Sequence, residues 1–353
     1  MIKSVVYSFL IGTYGSMVYQ VEFDAGKGLM KVLGKYEAAN ASYAIGKGSS
    51  IYTFSESGEN SKVYSIKDGV RTEVPCCGDN PCFINFSPDS NYLFTADYSG
   101  GSVSVYPLID GAVGERIQKL SFEGSGPVTR RQASPHIHQV KILPQMEGVA
   151  GEWILAPDLG SDKIRILKYT GHNGTGADNG TAANIALLEH FGDVQFPAGS
   201  GPRHIEFDMV RRMMYCIAEL SGKVFAFKMG ERNGAPSFEL VQSVVADEYN
   251  TGGSGDIHIH PSGKWLYTSH RLQNDGLAVF EVDEGGLVKK IGYVPTFEHP
   301  RNFLITPCGK YILVASKNKC SIQLFKIGEN GIPQPTATVF DFSPDSPTSI
   351  ILQ

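Results

Sequence analysis

The chain has no excess of positive charge. Its 31 lysines and arginines are outnumbered by 36 aspartates and glutamates, which gives a formal net charge of −5. Binding to a nucleic acid or to an anionic membrane surface depends on a concentration of basic residues. The composition therefore argues against both classes of partner.

The chain also lacks a long apolar stretch. No segment approaches the ~18 consecutive apolar residues that a membrane-spanning helix requires. The N-terminal run MIKSVVYSFLIGTYGS combines a lysine with apolar residues, as a signal peptide does, but Val5–Thr13 matches the strands that recur later in the sequence. We therefore expect a strand there, and a soluble protein located in the cytoplasm.

Cysteine is scarce, and several motifs of enzyme chemistry are missing. The six cysteines are too scattered for a disulfide framework or for paired zinc ligands, so we expect incidental or buried thiols in a reducing compartment. The sequence contains no Gly-Lys-Ser/Thr segment for a nucleotide phosphate and no HExxH zinc motif. It also has no G-x-S-x-G elbow, which argues against a serine nucleophile of the α/β-hydrolase type.

What the sequence does contain is a repeated block of short strands. Phe83–Leu108, Ile257–Val282 and Phe303–Ile327 align with one another, each with an apolar strand, a turn after a proline, a second strand, a polar turn and a third strand. A repeat of roughly 40–60 residues built from short strands is typical of a β-propeller. The repeat predicts one all-β domain over residues 1–353.

The strand pattern recurs seven times. The copy at the N-terminus lacks a first strand, whereas Thr348–Leu352 is a short apolar segment with no block of its own. We therefore predict a seven-bladed β-propeller of four-stranded antiparallel blades, closed by the C-terminal strand joining the N-terminal blade. The Gly-rich segment 171–184 is expected to be a flexible insertion.

Two sets of side chains are expected to meet at one mouth of the central channel, because the start of one strand and the end of the next lie at the same edge of an antiparallel sheet. Near the start of the first strand of successive repeats lie Cys82, His138, Arg203, Gly255 and Arg301. At the end of the second strand lie Glu56, Asp97, Asp158, Glu219, Arg271 and Lys317. Such a group offers a histidine for proton transfer, carboxylates, and arginines that can hold an anion or a developing oxyanion.

Each strand-end charge taken alone is better explained by a solvated turn, and only the recurrence of such charges favours a shared polar site. Among the other histidines, His136 is two residues from His138 and is expected on the same side of its strand. His204 is expected to point into its blade, and one of His258 and His260 to lie near the mouth.

Six motifs occur in an order that resembles a known family. They are SPHIHQV (Ser134–Val140), PDLGSDKI (Pro157–Ile164), GSGPRHIEF (Gly199–Phe207), AELSGKV (Ala218–Val224), HPSGKWLYTSHR (His260–Arg271) and PRNF (Pro300–Phe303). The sequence is similar to the seven-bladed lactonases, which include cycloisomerase-type 6-phosphogluconolactonases and carboxy-cis,cis-muconate cyclases. The resemblance covers nearly the whole chain. In muconate-type members a histidine, two arginines and a glutamate form the active site, and by motif these fall on His138, Arg203, Arg271 and Glu219.

The resemblance implies that the chain hydrolyses a lactone, in the first place 6-phosphogluconolactone. In that reaction His138 or Glu219 would activate water, while Arg203 and Arg271 would stabilise the oxyanion or clamp an anionic group. The residues expected to contact the substrate are His136, Asp158, Arg301 and Lys317. The last two would supply extra cations for a phosphate.

Two further functions remain open. A muconate-type cycloisomerase, which adds a carboxylate across a double bond, would use the same four groups. A non-catalytic propeller that binds sugar acids or serves as a scaffold would keep the fold alone. His270 and Ala218 stand where the family usually has asparagine, so the substrate is the least determined part of the prediction.

No cofactor or metal is expected, although carboxylates at the mouth could bind Mg²⁺ or Ca²⁺ through their oxygens. The expected partner is a lactone or sugar-acid substrate, without nucleic acid or membrane, and the chain is expected to be a monomer or a weak homodimer.

Overall fold

Seven antiparallel sheets surround a central channel in the computed structural model, which describes residues 5–171 and 186–353. They are the blades of the expected β-propeller, and the prediction of the fold is confirmed. The segment 171–184, expected to be a flexible insertion, lies outside the described residues apart from Gly171. No helix in the described ranges is long and apolar enough to cross a membrane.

Each blade is an antiparallel meander, and in six of the seven blades the strand that comes first in the sequence lies innermost. The first three blades contain β1 (Val6–Thr13), β2 (Met17–Asp24) and β3 (Leu29–Glu37); β4 (Ala44–Lys47), β5 (Ser50–Phe54), β6 (Lys62–Lys67) and β7 (Val70–Pro75); and β8 (Pro81–Phe86), β9 (Tyr92–Asp97), β10 (Ser102–Ile109), β11 (Ala112–Val113) and β12 (Gln118–Ser121). Both β11 and β12 pair with β10, so the outer strand of the third blade is in two pieces.

The remaining blades follow the same plan. They contain β13 (Lys141–Ile142), β14 (Glu152–Asp158), β15 (Lys163–Tyr169) and β16 (Leu188–Gln195); β17 (Pro202–Asp208), β18 (Met213–Ala218), β19 (Lys223–Arg232) and β20 (Ala235–Val245); β21 (Ser254–Ile259), β22 (Trp265–His270), β23 (Gly276–Val282) and β24 (Val288–Pro295); β25 (Pro300–Ile305), β26 (Tyr311–Ser316), β27 (Ser321–Ile327) and β28 (Pro333–Asp341); and finally β29 (Pro347–Leu352). The helical segments are α1 (Thr129–Gln132) and three 3₁₀ turns, Gly58–Asn60, Leu159–Ser161 and Lys317–Lys319.

The C-terminal strand β29 closes the ring as the innermost strand of the first blade. It runs antiparallel to β1, with Ile350 opposite Ile11. The hydroxyl of Thr348 donates to the carbonyl oxygens of Gly12 and Ser42, which ties β29 to the second blade as well. Ile350 packs into the apolar core that the first blade shares with the seventh. The predicted closure is confirmed.

The apolar cores lie between neighbouring blades. In one of them Phe225 and Phe227 of β19 pack with Ile164 and Ile166 of β15. The second strand of a blade is buried on both faces, as in β18, where all six residues are buried. This packing fixes the inner strands in a ring, so side chains at equivalent positions of successive blades face one channel.

Removal of Thr348–Gln353 is expected to destabilise the whole propeller. The truncation would expose β1 as an edge and remove Ile350, which is 1% exposed, from its core. Thermal unfolding of the truncated chain should show a large fall in Tm together with aggregation.

Two point variants distinguish loss of the ring closure from a general sensitivity of the C-terminal residues to substitution. Ile350→Ala should lower the free energy of unfolding by about 2–5 kcal/mol. Leu352→Ala, at a side chain that is 46% exposed, should change it by only about 0.5 kcal/mol. Equal losses in both variants, or an unchanged Tm after truncation, would contradict the closure.

Candidate active site

A β-bulge recurs at the start of the inner strands. The pairing of β8 with β9 skips Cys82, that of β17 with β18 skips Arg203, and that of β25 with β26 skips Arg301. The same irregularity occurs at Gly255–Asp256 of β21 and at Thr348 of β29. A bulge removes one residue from the ladder and re-aims its side chain, and bulges are frequent beside active sites. The first predicted ring of residues is thus built on bulges.

The carboxylate of Glu219, just after β18, is the centre of the site. Its Oε2 lies 2.7 Å from Nε of Arg203 and 3.2 Å from Nη2 of Arg271. Its Oε1 accepts a hydrogen bond of 2.7 Å from Nη2 of Arg131. Arg203 also donates from Nη1 to the carbonyl oxygen of Gly255 at 2.5 Å. Glu219, Arg203 and Arg271 are buried, whereas the side chain of Arg131 is 36% exposed. One carboxylate therefore orients three guanidinium groups, two of them buried.

The charge of Glu219 is fixed by these neighbours. Burial alone would raise the pKa of Glu219, but the charges of Arg271, Arg203 and Arg131 outweigh that effect and lower it to about 2. The carboxylate is therefore ionised at neutral pH and is a weak base. Nε of Arg203 is close to Glu219 without the alignment of a hydrogen bond, and it has no hydrogen-bond partner among the described residues.

His138 lies beside this ion-pair group and is 5% exposed. Its Nδ1 is 3.7 Å from Sγ of Cys82, and its ring centroid is 5.7 Å from that of Tyr98 and 5.3 Å from that of His204. Burial, reinforced by the charge of Arg203, lowers the pKa of His138 well below its ordinary value. The imidazole is therefore neutral at pH 7, the state in which it can accept a proton.

Tyr14 and Glu56 build the other half of the site. The hydroxyl of Tyr14 donates to Oε2 of Glu56 at 2.5 Å, and Nη2 of Arg301 is 3.7 Å from Oε1 of the same carboxylate. The guanidinium carbon of Arg301 and the ammonium of Lys317 lie 5.1 and 5.0 Å from the centroid of the Tyr14 ring. Both distances are within the range of cation–π contacts. The backbone N–H of Tyr14 donates to the carbonyl oxygen of Ser346, so the turn before β29 holds the tyrosine in place.

Tyr98 links the predicted histidines to the arginines. His136 stacks on Tyr98 with 4.3 Å between the ring centroids, and its Nδ1 is 2.7 Å from the carbonyl oxygen of Tyr98. The hydroxyl of Tyr98 accepts a hydrogen bond of 3.3 Å from Arg131. His136 and His138 therefore border one polar region with the arginines.

The structure brings together the charged residues and histidines that the sequence predicted for the site, except Asp97 and Asp158. Asp97 and Asp158 are each the last residue of the second strand of their blade. In the fifth blade this position is held by Ala218, because Asp97 and Ala218 both pair with the first residue of the neighbouring inner strand. Glu219 lies one residue further on. A shift of one residue moves a side chain to the opposite face of a strand. The residue of the third blade that matches Glu219 is Tyr98.

The expected substrate contact of Asp158 is corrected accordingly. Its carboxylate is fully buried in its own blade, where it accepts hydrogen bonds from the Ser161 hydroxyl at 2.8 Å and from Nη2 of Arg165 at 2.7 Å. It also accepts one from the backbone N–H of His136 at 2.9 Å. Asp158 therefore fixes the backbone that presents His136, and its oxygens are engaged within the protein.

His204 also differs from expectation. It does not point into its blade but lies between inner strands, with its ring 5.3 Å from that of His138 and its Nδ1 2.7 Å from Asp256 on β21. His258 binds the same aspartate, whereas His260 bonds to the carbonyl oxygen of Gly309. Of these two candidate histidines, His258 lies on β21 near the channel, and His260 follows the end of that strand.

The carboxylates do not gather as a cation site would require. Asp97 accepts hydrogen bonds from three hydroxyls of its own blade. Glu56 and Glu219 each face arginines. Within residues 5–171 and 186–353 there is no cluster of three or more histidine, cysteine or acidic side chains with the geometry to hold a metal ion.

The sequence analysis missed Tyr14, Tyr98 and Arg131. Tyr14 follows Thr13, the end of β1, and so occupies in the first blade the position that Glu219 occupies in the fifth. An alignment of the repeats by the pairing of their strands, instead of by their charged residues, would have placed both Tyr14 and Tyr98 at the position of Glu219. Arg131 belongs to α1, a connection without an equivalent in the other repeats, so the periodicity carried no signal for it.

Comparison with known proteins identifies the family of the chain. The family model described as lactonase, 7-bladed beta-propeller, matches residues 8–351. The chain belongs to this family. The resemblance inferred from the six motifs is confirmed.

Individual members of the family give the same result. A 6-phosphogluconolactonase of Formosa agariphila is 32% identical over 71% of this chain and 68% of its own length. A crystal structure from Bacteroides fragilis, described as a candidate 6-phosphogluconolactonase, superposes with a TM-score of 0.87 at 34% identity and covers 99% of this chain and 98% of its own. A periplasmic gluconolactonase of Pseudomonas aeruginosa has a TM-score of 0.84 at 26% identity, with 99% of both chains covered.

Replacing Glu219 with glutamine should change how stability depends on pH. Since the pKa of Glu219 is lowered from an ordinary 4.5 to about 2 in the folded state, its ionisation stabilises the fold above pH 4.5, and this contribution is lost as the pH falls toward 2. Glu219→Gln should lower Tm at pH 7 and flatten the decline of Tm between pH 5 and pH 3. The control is Glu147→Gln, at a side chain that is 87% exposed, which should follow the wild-type curve. A Glu219→Gln curve parallel to wild type would contradict the buried ion pairs.

Proposed function

We propose that this lactonase-family protein hydrolyses a sugar-acid lactone at the arginine-lined end of the channel, with 6-phosphogluconolactone as the substrate. The observation that carries the proposal is the buried Glu219, which orients Arg131, Arg203 and Arg271 beside the neutral imidazole of His138. The names of the relatives in the same family support the substrate class.

The proposed chemistry assigns a role to each group. Hydrolysis requires water to attack the ester carbonyl, and negative charge then develops on the carbonyl oxygen. Neutral His138 takes the proton from the attacking water as the water oxygen bonds to the carbonyl carbon. When the tetrahedral intermediate collapses, the bond from this carbon to the ring oxygen breaks, and His138 returns the proton to the leaving ring oxygen. Arg203 and Arg271, both buried, stabilise the oxyanion in a site shielded from water. Glu219 holds the arginines and is not the base, since a carboxyl with a pKa of about 2 accepts protons poorly.

An anionic substrate would strengthen His138 as a base. In the protein alone, burial and the charge of Arg203 keep the pKa of His138 low, and the charge of Arg301 adds to the effect. A bound anion would offset these positive charges and raise the pKa of the imidazole toward neutrality. Binding of the charged substrate would thus activate the group that reacts with it.

The Tyr14 half of the site is suited to the phosphate. Burial and the nearby charges of Arg301 and Arg271 lower the pKa of Lys317, and no carboxylate among the described residues forms an ion pair with this lysine. A phosphate between Lys317 and Arg301 would supply the missing negative charge. The lactone ring would then lie toward His138 and Glu219.

We also propose that the protein acts in the cytoplasm as a monomer or weak homodimer, without a cofactor or a nucleic-acid partner. All six cysteines are free, including the exposed Cys77 and Cys308, as expected in a reducing compartment.

The first test is acid release from freshly generated 6-phosphogluconolactone, measured above the spontaneous rate. The wild type should accelerate it, and His138→Ala or Glu219→Gln should lower kcat/KM by about 10²–10³ because the base or the arginine geometry is lost. His190→Ala, a surface histidine in an outer strand, is the control and should retain full activity. Full activity in folded His138→Ala would exclude the proposed base, and an inactive wild type would exclude the substrate.

The second test compares the phosphorylated substrate with unphosphorylated gluconolactone. Lys317→Met should lower kcat/KM for the phosphorylated lactone by about 10- to 100-fold, as expected for one charge-assisted contact, with little effect on the other lactone. Lys319→Met, an exposed lysine in the same 3₁₀ turn, is the matched control. Equal losses on both lactones would contradict the phosphate position.

A further inference from the structure

A chain of hydrogen-bonded ionisable side chains runs along the channel from the arginine group. Nη1 of Arg203 is 3.4 Å from Nε2 of His204, and Nδ1 of His204 is 2.7 Å from Oδ1 of Asp256. Oδ2 of Asp256 is in turn 2.9 Å from Nε2 of His258. The chain alternates between β17 and β21, two neighbouring inner strands.

The chain continues toward the opposite mouth of the channel. Nδ1 of His258 is 3.4 Å from Oε2 of Glu206, and the same oxygen accepts a hydrogen bond of 3.0 Å from Nζ of Lys141. The side chains of His204 and Asp256 are 8% and 3% exposed, whereas the far end of the path is more open, at 35% for His258, 18% for Glu206 and 25% for Lys141. The buried end of the chain therefore lies at the candidate active site, and its far end meets solvent.

Asp256 is held from several sides. It is 2% exposed and accepts hydrogen bonds from both histidines, from Nδ2 of Asn302 and from the backbone N–H of Ile257. With its carboxylate oxygens occupied in this way, Asp256 has little freedom to change orientation. It is a fixed acceptor for Nδ1 of His204.

The charge on Asp256 is balanced by the outer histidine. Burial opposes ionisation of His258, but the charges of Asp256 and Glu206 outweigh it and raise the pKa of His258 to about 9. Burial and the charge of Arg203 lower the pKa of His204 to about 4. At neutral pH the pair therefore consists of a charged His258 and an uncharged His204, with Asp256 between them.

The contacts of His204 allow one tautomer. The carboxylate of Asp256 can only accept a hydrogen bond, so Nδ1 of His204 carries the proton. Arg203 can only donate, so Nε2 presents its lone pair to the guanidinium. A protonated His204 would instead repel Arg203 and add a positive charge beside His138, 5.3 Å away between ring centroids.

We propose that Asp256 fixes His204 in its neutral, Nδ1-protonated form, and that His204 in this form holds Arg203 in the orientation that hydrolysis requires. Both are positioning residues that act through Arg203 and do not touch the reacting atoms. The inference rests on the proposed lactone hydrolysis but assigns a role to a part of the channel that the hydrolytic chemistry does not itself use.

The tautomer can be measured on the intact wild-type protein. The chain has nine histidines, and ¹⁵N-histidine labelling with His204→Gln for assignment would identify the His204 resonances. We expect a protonated Nδ1 and an unprotonated Nε2 at pH 7. The opposite tautomer or an imidazolium would overturn the proposal. Because the tautomer is measured on the wild-type protein, the result does not depend on the stability of a variant.

Asp256→Asn tests the consequence for catalysis. The amide can donate to Nδ1 and so release the tautomer, as in the Asp→Asn variant of the serine-protease triad. We expect kcat on 6-phosphogluconolactone to fall about 10- to 100-fold through misplacement of Arg203, with KM changed less than about threefold, and the His204 resonances to shift. The matched control is Asp208→Asn, the same change at another buried carboxylate of β17, which pairs with Arg211. It should lower Tm without lowering kcat.

The outcomes separate this inference from the proposed function. An active wild type with unchanged kcat in folded Asp256→Asn overturns the positioning role alone. An equal fall of kcat in Asp208→Asn also overturns it, because the effect would then follow stability. A wild type without activity on any sugar lactone overturns the proposed function and the catalytic part of this inference, while the resonances of His204 still decide its tautomer.

Discussion

The ion pairs of Glu219 are the interaction on which the rest of the site depends. Five cationic side chains converge on one end of the channel against two carboxylates: Arg131, Arg203, Arg271, Arg301 and Lys317, with Glu56 and Glu219. Arg203, Arg271 and Glu219 are buried, and the other four are partly exposed. Buried like charges repel, and loss of one partner from such a group is costly. The two carboxylates keep the cations in place while leaving a surplus of positive charge, which is the electrostatic condition for capturing an anionic lactone.

The propeller itself could be predicted from the sequence because its repeats are local. Each strand and turn is encoded within a short stretch, and the missing first strand of the N-terminal copy pointed directly to β29. The expected boundaries agree closely, since the segment Val5–Thr13 is found as β1, Val6–Thr13. Strand alternation and turn residues sufficed for this level of description.

The site was harder to predict than the fold because successive side chains of a strand point to opposite faces, so an alignment error of one residue selects the wrong side chain. Aligning the repeats by their charged residues placed Asp97 and Asp158 in the ring, although Tyr98 holds that position in the third blade. The bulges also insert one extra residue into the inner strands, Arg203 in β17 and Arg301 in β25. The distance to the following turn in the sequence does not show which residue is bulged. Contacts between blades, such as that of Arg131 with Glu219, form only in the closed ring. They do not recur from repeat to repeat, so the alignment of repeats cannot reveal them.

The position of Tyr14 has a consequence for how the protein matures on the ribosome. Its backbone is held by Ser346, and the neighbouring turn is held by Asp345, which accepts hydrogen bonds from the N–H of Ser16 and the hydroxyl of Tyr19. These contacts come from the segment that leads into β29. A nascent chain therefore cannot complete the proposed binding site for the phosphate until synthesis has passed this segment, and shorter translation products would lack that site as well as the closure of the ring.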